Sequence, residues 1–397
     1  MKILIVQESD WVEKGPHQSH HLMERMSKKG HEVCVIDYEI LWRLHEDKSL
    51  ISARKVFKNE CKAVEGGNIT VIRPSIVKFP VLDYVSLLYT HRKEIKKQLD
   101  EFNPDVIIGF GILNAMLAIR LARKTPFVYY IIDSLHRLVP KKTFQSLAKY
   151  IESKNMKKAN RVVVINEQLK DYAINMGANP EKTYVVRAGI DAERYDPNID
   201  GGEIRREYGI KDDDIVLFFM GTLFNFSGLK EVATELAKIK DEKPNIKLLF
   251  VGKGDALEDI QKIREEHHLE NRIILTGRQP FKRIPKFLAA ADICLLPAYN
   301  NEIMRDIVPI KMYEYMAMGK PVIATKLPGV MKEFGKDHGV IYVDKPEDVL
   351  KKAVELIERG SIKEEGRKAR GFVEKYNWDD LVDEFEGILE GVIEDNF

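Results

Sequence analysis

Two carboxylates, Asp306 and Glu314, stand eight positions apart with Pro309, Ile310 and Lys311 between them. Before them Asp292-Ile293-Cys294-Leu295-Leu296 reads as a buried strand that ends at Pro297, and a polar loop with Glu302 and Arg305 follows. Pro309 suits the first turn of a helix, where its missing N–H has no intrahelical partner. That helix is expected over 310–318, with Gly319 placed to stop it and Pro321-Val322-Ile323-Ala324-Thr325 as the next buried strand. A loop at the C-terminal end of a parallel strand, feeding a helix N-terminus, is where α/β proteins hold phosphorylated ligands. The free N–H groups there attract anions, and nearby carboxylates can accept hydrogen bonds from sugar hydroxyls. Spacing alone favours a solvated loop with an ordinary surface Asp and Glu.

The whole string, PAYNNEIMRDIVPIKMYEYMAMGKPVIAT over 297–325, is more specific. It resembles the signature of retaining nucleotide-sugar glycosyltransferases of the GT-B fold, family 4 type. That family carries a Glu, seven residues, Glu pattern just before a Gly-Lys-Pro-Val-Ile-Ala strand. Glu314 matches the second Glu, and Asp306 replaces the first with a side chain one methylene shorter. The resemblance implies that Glu314 accepts hydrogen bonds from ribose hydroxyls and Asp306 from sugar hydroxyls. It implies retention of anomeric configuration, which no spacing in this chain shows.

The rest of the second half supplies the elements that position these groups. Ile215 to Met220, Ile246 to Val251 and Ile273 to Thr276 read as strands, each closed by glycine: Gly221, Gly252-Lys253-Gly254 and Gly277. Strands alternating with helices, with glycine at the strand ends, indicate a nucleotide-binding-like α/β domain. Many relatives place Arg just after the residue matching Gly221 and Lys five further on, to hold a diphosphate. This chain has Thr222 and Ser227 there. The diphosphate then falls to Lys311, Arg278, Arg305 or backbone N–H groups at the start of the helix, from Ile310. Lys311 leads, one turn before Glu314 on about the same face.

The first half repeats the pattern. Lys2 to Gln7 is a strand, a loop with Gly15-Pro16-His17 follows, and a helix runs to Gly30 before the strand His31 to Asp37. In the resembling family this loop faces the interdomain cleft, so Gly15 and His17 are acceptor-side candidates. His17, His20 and His21 lie close together in sequence; a metal site needs more than that proximity, and a contact of His17 with the cleft is the leading reading. After strand 105–109 a helix is expected over 115–123. Strand 126–132 ends at Asp133-Ser134-Leu135-His136. Relatives carry a His or Asp here that approaches the transferred sugar. Asp133 and His136 are both candidates, and the sequence does not choose between them. Ile76 to Tyr89 reads as a core helix with a basic end, or as an acceptor or membrane-facing surface. Residues 137–161 carry eight Lys or Arg and one acid, Glu152, in an amphipathic pattern. A solvated helix and contact with anionic lipid both fit.

At 397 residues the chain is long enough for two domains. Residues 1–200 carry 32 Lys and Arg against 25 Asp and Glu, and the remainder 31 against 37. The basic first half has no zinc spacing or recognition-helix pattern that would favour nucleic acid. Cys34, Cys61 and Cys294 are scattered, which fits a reducing cytoplasm. No apolar run is long enough to span a bilayer. The expected fold is α/β, two Rossmann-like doubly wound domains facing a cleft (GT-B). The expected domains are an acceptor-binding one over 1–195, a linker over 192–214, a nucleotide-sugar-binding one over 196–375, and a last helix over 376–397 that crosses back, anchored by Trp378. The expected activity is transfer of a hexosyl or N-acetylhexosaminyl group from a nucleoside diphosphate sugar such as a UDP-sugar. The acceptor would be a glycan, lipid-linked or small-molecule hydroxyl, in the cytoplasm or at the inner face of the membrane. No Asp-x-Asp motif sits at a strand end, so no cofactor and no essential metal are expected. A nucleotide-sugar epimerase and a non-catalytic sugar-nucleotide-binding subunit are the rival readings. The sequence names neither sugar, base nor acceptor.

Overall fold

The computed structural model describes residues 1–44, 49–122, 124–139 and 141–396. It forms two compact units, one of Met1–Arg187 with Trp378–Phe397 and one of Ala188–Asn377.

The first unit has strands β1 (Lys2–Gln7), β2 (Glu32–Ile36), β3 (Lys55–Phe57), β4 (Ile69–Arg73), β5 (Val106–Phe110), β6 (Phe127–Ile131), β7 (Arg161–Val164) and β8 (Thr183–Val185). They form one sheet in the order β3-β4-β2-β1-β5-β6-β7-β8, parallel except for the edge pair β3 and β4. The central strands are apolar on both faces and fully buried, as a sheet covered on both sides requires. Helices α1 (Gln18–Lys28), α2 (Leu82–Glu101), α3 (Leu113–Leu121), α4 (Lys142–Lys158) and α5 (Glu167–Asn175) connect them. The helix expected over 115–123 begins two residues earlier, and Arg123 lies outside the described residues. The apolar stretch read as a core helix from Ile76 starts its helix only at Leu82. Phe79, Leu82, Val85 and Tyr89 are exposed there, while Leu87, His91 and Ile95 are buried.

The second unit holds β9 (Ile215–Met220), β10 (Ile246–Val251), β11 (Ile273–Leu275), β12 (Ile293–Leu296), β13 (Val322–Thr325) and β14 (Val340–Val343), all parallel, in the order β11-β10-β9-β12-β13-β14. Its helices are α6 (Gly202–Glu207), α7 (Leu229–Ile239), α8 (Leu257–Glu266), α9 (Ile284–Ala290), α10 (Ile310–Ala317), α11 (Pro328–Phe334), α12 (Asp348–Glu358) and α13 (Ile362–Val373). Residues 192–214, read as a linker, pack into this unit because Tyr195, Ile204 and Ile210 are apolar enough to join its core. Gly319 adopts φ +65° after α10, the left-handed conformation that lets a helix stop abruptly.

The chain then returns to the first unit as α14 (Trp378–Glu394). Trp378 stacks on His21 at 4.5 Å with Arg25 over its ring, and Phe385 meets Tyr130 edge-on at 5.6 Å. His31 and Lys29 bind Glu386, and Lys29 also binds Asp383. No described helix is long and apolar enough to cross a membrane.

Trp378 is 3% exposed. Its replacement by Ala should cost about 3–5 kcal/mol of stability in the first unit. Denaturant unfolding followed by a probe in that unit measures this, and an unchanged midpoint would show that α14 docks without Trp378.

Candidate functional site

Among the parallel strands of each sheet the order reverses once, between β1 and β5 in the first unit and between β9 and β12 in the second. The C-terminal ends of strands at such a reversal leave a crevice in which α/β proteins bind ligands.

In the second unit this crevice is floored by glycines. A Cβ on Gly252 would lie 1.8 Å from the Gly221 carbonyl, so the two backbones touch as only glycine allows. Gly252 has φ +147° and donates its N–H to the Gly277 carbonyl at 2.9 Å. Three successive strand ends are thereby stitched into one surface. Lys311, in the first turn of α10, reaches over it: its Nζ is 2.6 Å from where a Cβ of Gly221 would stand and 4.2 Å from the Phe219 ring centre. Lys253 extends over Gly277, with its Cε 3.5 Å from the position of that residue's absent Cβ. Neither Lys253 nor Arg278 has a side-chain hydrogen bond or ion pair among the described residues, and both are exposed.

Glu314 stands one turn after Lys311 on α10. Burial raises its carboxyl above the usual range, and the Tyr195 hydroxyl and Lys311 pull it back. Tyr195 is 3% exposed and donates to Glu314 Oε1 at 2.6 Å. Burial pushes Lys311 down to about 8, against the opposing pull of Glu314. The two residues are therefore half-buried and of opposite charge one turn apart, with one carboxylate oxygen already engaged by Tyr195.

Asp306 is buried at 8% exposure in the loop before α10, with Arg305 Nε 3.6 Å from its Oδ1. Gly329, at the start of α11, lies against its backbone, where a Cβ would come within 2.8 Å of the Asp306 carbonyl. Ile310 opens α10 and is half-buried. Thr222 is exposed after Gly221. Ser227 is buried, and its hydroxyl accepts the Phe224 N–H at 3.1 Å, so it shapes the loop. Phe224 and Phe226 stack at 4.7 Å in this loop, which offers no cation.

The corresponding crevice of the first unit is filled by Glu8. Its carboxylate accepts the N–H groups of Leu113 at 2.5 Å and Asn114 at 2.9 Å, at the N-terminus of α3. Asp133 follows β6, and its carboxylate has no hydrogen bond or ion pair among the described residues. Burial alone raises it to about 7. His136 is turned inward instead. Its Nδ1 is 2.9 Å from both Glu152 Oε2 and the Tyr172 hydroxyl, and its backbone N–H donates to the same Glu152 oxygen. Gly15 lies in an open loop. His17 precedes α1 and donates its backbone N–H to His20 Nδ1 at 3.1 Å. His20 Nε2 donates to the Trp11 carbonyl at 3.0 Å, while His21 carries the stack with Trp378. The histidines thus hold the loop and α14, and no described group of three or more His, Cys, Asp or Glu is placed to bind a metal.

The structure therefore brings together Glu314, Lys311 and Gly221, joined through the glycine floor to Gly252. Three side chains at these places take parts that the sequence does not announce. Lys253 was detectable as a cation between two strand-end glycines. Tyr195, with Asp196 and Pro197, matches an aromatic-x-Pro motif of the resembling family, but its partner lies 119 positions away and the motif does not reveal it. Glu8 looked like an ordinary loop acid.

Residues 200–375 match the model of glycosyl transferases group 1, and residues 18–194 that of glycosyltransferase family 4. An uncharacterized glycosyltransferase of Methanocaldococcus jannaschii is 25% identical over 60% of this chain and 60% of its own. The N-acetyl-alpha-D-glucosaminyl L-malate synthase of Bacillus anthracis is 23% identical over 94% and 93%. The matches to the first four curated relatives span between 46% and 60% of those proteins' lengths. Among solved structures, Anabaena HepE in complex with UDP superposes with a TM-score of 0.74 at 16% identity, covering 98% of this chain and 100% of that one.

The close approach at Gly252 gives a direct test of the floor. Gly252→Ala should cost about 2–5 kcal/mol, from overpacking and a strained φ together. Gly371→Ala, in a helix with open space around it, should instead be neutral or slightly stabilising. Denaturant unfolding of the two variants makes the comparison, and equal midpoints would refute a close-packed floor.

Proposed function

Since the chain belongs to the group 1 and family 4 glycosyltransferases and has their two-domain GT-B fold, we propose that it moves a sugar from a nucleoside diphosphate donor to an acceptor hydroxyl with retention at the anomeric carbon. The observation that carries this reading is Lys311 above Gly221, with Glu314 one turn further on, at the strand reversal of the second unit.

In this reading Glu314 keeps the Tyr195 bond on Oε1 and accepts ribose hydroxyls on Oε2. Tyr195 fixes the rotamer and favours the ionised carboxylate, the form able to accept two hydrogen bonds. The diphosphate lies on the glycine floor. Lys311, Lys253 and Arg278 supply the charge that Thr222 and Ser227 lack, and N–H groups at the start of α10, beside Ile310, add their dipoles. These groups stabilise the departing diphosphate as its charge grows, and chain cations meet that charge without a metal. Asp306 accepts hydrogen bonds from the sugar. On the acceptor side Asp133 is favoured over His136, because its carboxylate is unengaged while His136 is held by Glu152 and Tyr172. Gly15 and His17 line the same side.

The donor class extends to UDP-sugars because the HepE structure holds UDP. A hexosyl or N-acetylhexosaminyl group is the proposed cargo, by likeness to the malate synthase. The three free cysteines suit a reducing cytoplasm. Exposed apolar residues on α2 and α4 beside unpaired lysines support peripheral contact with the inner face of a membrane, where a lipid-linked acceptor would be met.

Glu314→Ala should raise the donor KM by about 10- to 150-fold, the worth of a hydrogen bond to a charged group. Asp306→Asn should act mainly on kcat. Thermal shifts with UDP-, GDP- and ADP-sugars identify the donor first, because a bound ligand raises apparent stability. Unchanged kinetics in both folded variants would remove these residues from the site.

Lys311 loses its proton as pH rises through about 8, so the ammonium that meets the diphosphate is present below that value. The donor kcat/KM should fall above about pH 8, and Lys311→Arg, which stays charged, should flatten that limb. A wild-type profile that is level to pH 10 would exclude Lys311 from phosphate binding.

A further inference from the structure

Away from the strand ends, α4 and the C-terminal end of α5 enclose an open cavity of about 400 Å³, lined by Ser146, Lys149, Tyr150, Ser153, Lys157 and Met176 among others. Neither Lys149 nor Lys157 has a hydrogen bond or ion pair among the described residues. The stem of Lys157 runs across Gly177, leaving its ammonium at the rim. No carboxylate lines the cavity. The single acid of α4, Glu152, is fully buried beneath the helix on His136. Ser146 and Tyr150 bring hydroxyls that can donate, while the Ser153 proton is already given to the Met176 carbonyl at 2.6 Å. Two cations and two donor hydroxyls without an acid constitute the chemistry of a phosphate-type anion site.

The neighbouring surface says what carries that anion. Phe144, Leu147 and Tyr150 are 48%, 57% and 56% exposed on the N-terminal half of α4. Tyr150 belongs both to this apolar row and to the cavity wall, and Lys154 lies over its ring at 4.5 Å. Lys141, Lys142 and Lys149 flank the row. A free phosphate gives no reason for exposed Phe and Leu beside its pocket. A lipid does, because its headgroup meets cations while its glycerol and acyl region meets apolar side chains.

We infer that the α4–α5 cavity binds the phosphate headgroup of an anionic phospholipid, with Phe144, Leu147 and Tyr150 entering the bilayer interface beside it. This deepens the reading of peripheral membrane contact and is independent of the donor chemistry.

Flotation of the full chain with vesicles of phosphatidylcholine, with and without phosphatidylglycerol, tests it in the absence of any sugar donor. The wild type should float only with the anionic vesicles. Lys149→Ala/Lys157→Ala should weaken that binding about 25-fold, at about fivefold per lysine. Phe144→Ser/Leu147→Ser should weaken it and keep the preference for anionic lipid. Lys238→Ala/Lys262→Ala, which removes the same charge from the surface of the second unit, should leave it unchanged. A wild type that floats with neither vesicle overturns both the membrane reading and the cavity. Equal binding by wild type and Lys149→Ala/Lys157→Ala, or equal loss in the Lys238/Lys262 control, overturns the cavity alone. A thermal shift with inorganic phosphate that needs Lys149 and Lys157, without flotation, would make it a site for free phosphate and overturn the lipid assignment.

Discussion

A carboxylate drawn partly out of water is tolerable only if something answers its charge, and half-buried Glu314 is answered twice. Tyr195 donates to one oxygen, and Lys311 supplies a cation one turn away. Each partner is itself held. Tyr195 sits in the core of the second unit, its carbonyl bound by Arg370, which also binds the Ala317 carbonyl at the end of α10. Lys311 is confined between the Phe219 ring and Gly221. The site is thus set before any ligand arrives, which reduces what must be ordered on binding. The same enclosure makes both groups sensitive to protonation in a range where exposed Glu and Lys are not.

That arrangement depends on backbone packing more than on side chains. Lys311 can lie over Gly221 only because Gly221 has no Cβ, and Gly221 can meet Gly252 for the same reason. Gly228 repeats the theme behind the loop, where a Cβ would stand 2.0 Å from the Pro297 carbonyl. The strand ends are brought closer than any other residue would permit, so their amide groups share one surface. Side chains then add charge from the periphery.

The sequence made the local parts readable. Pro309 and Gly319 marked the two ends of α10, and apolar runs closed by glycine marked the parallel strands with their ends. What it concealed was long-range. Glu314 and Tyr195 belong to different segments, and only the folded sheet brings them together. Asp133 and His136 look alike on paper as polar residues after one strand. They separate once α4 places Glu152 and α5 places Tyr172 around the imidazole. The stretch before β9 shows the reverse error: 192–214 is polar enough to read as a linker, yet a few apolar residues suffice to fold it in.

Glu8 has a further consequence. The two sheets reverse strand order in the same way, so the fold offers a phosphate-bearing molecule two similar seats. One seat is already occupied by an anion fixed to the chain, bonded to the amides a phosphate would need. The other presents an ammonium. Two similar strand reversals are thereby given opposite polarity by one residue each: an internal carboxylate occupies the amides at one, and an ammonium stands over the other.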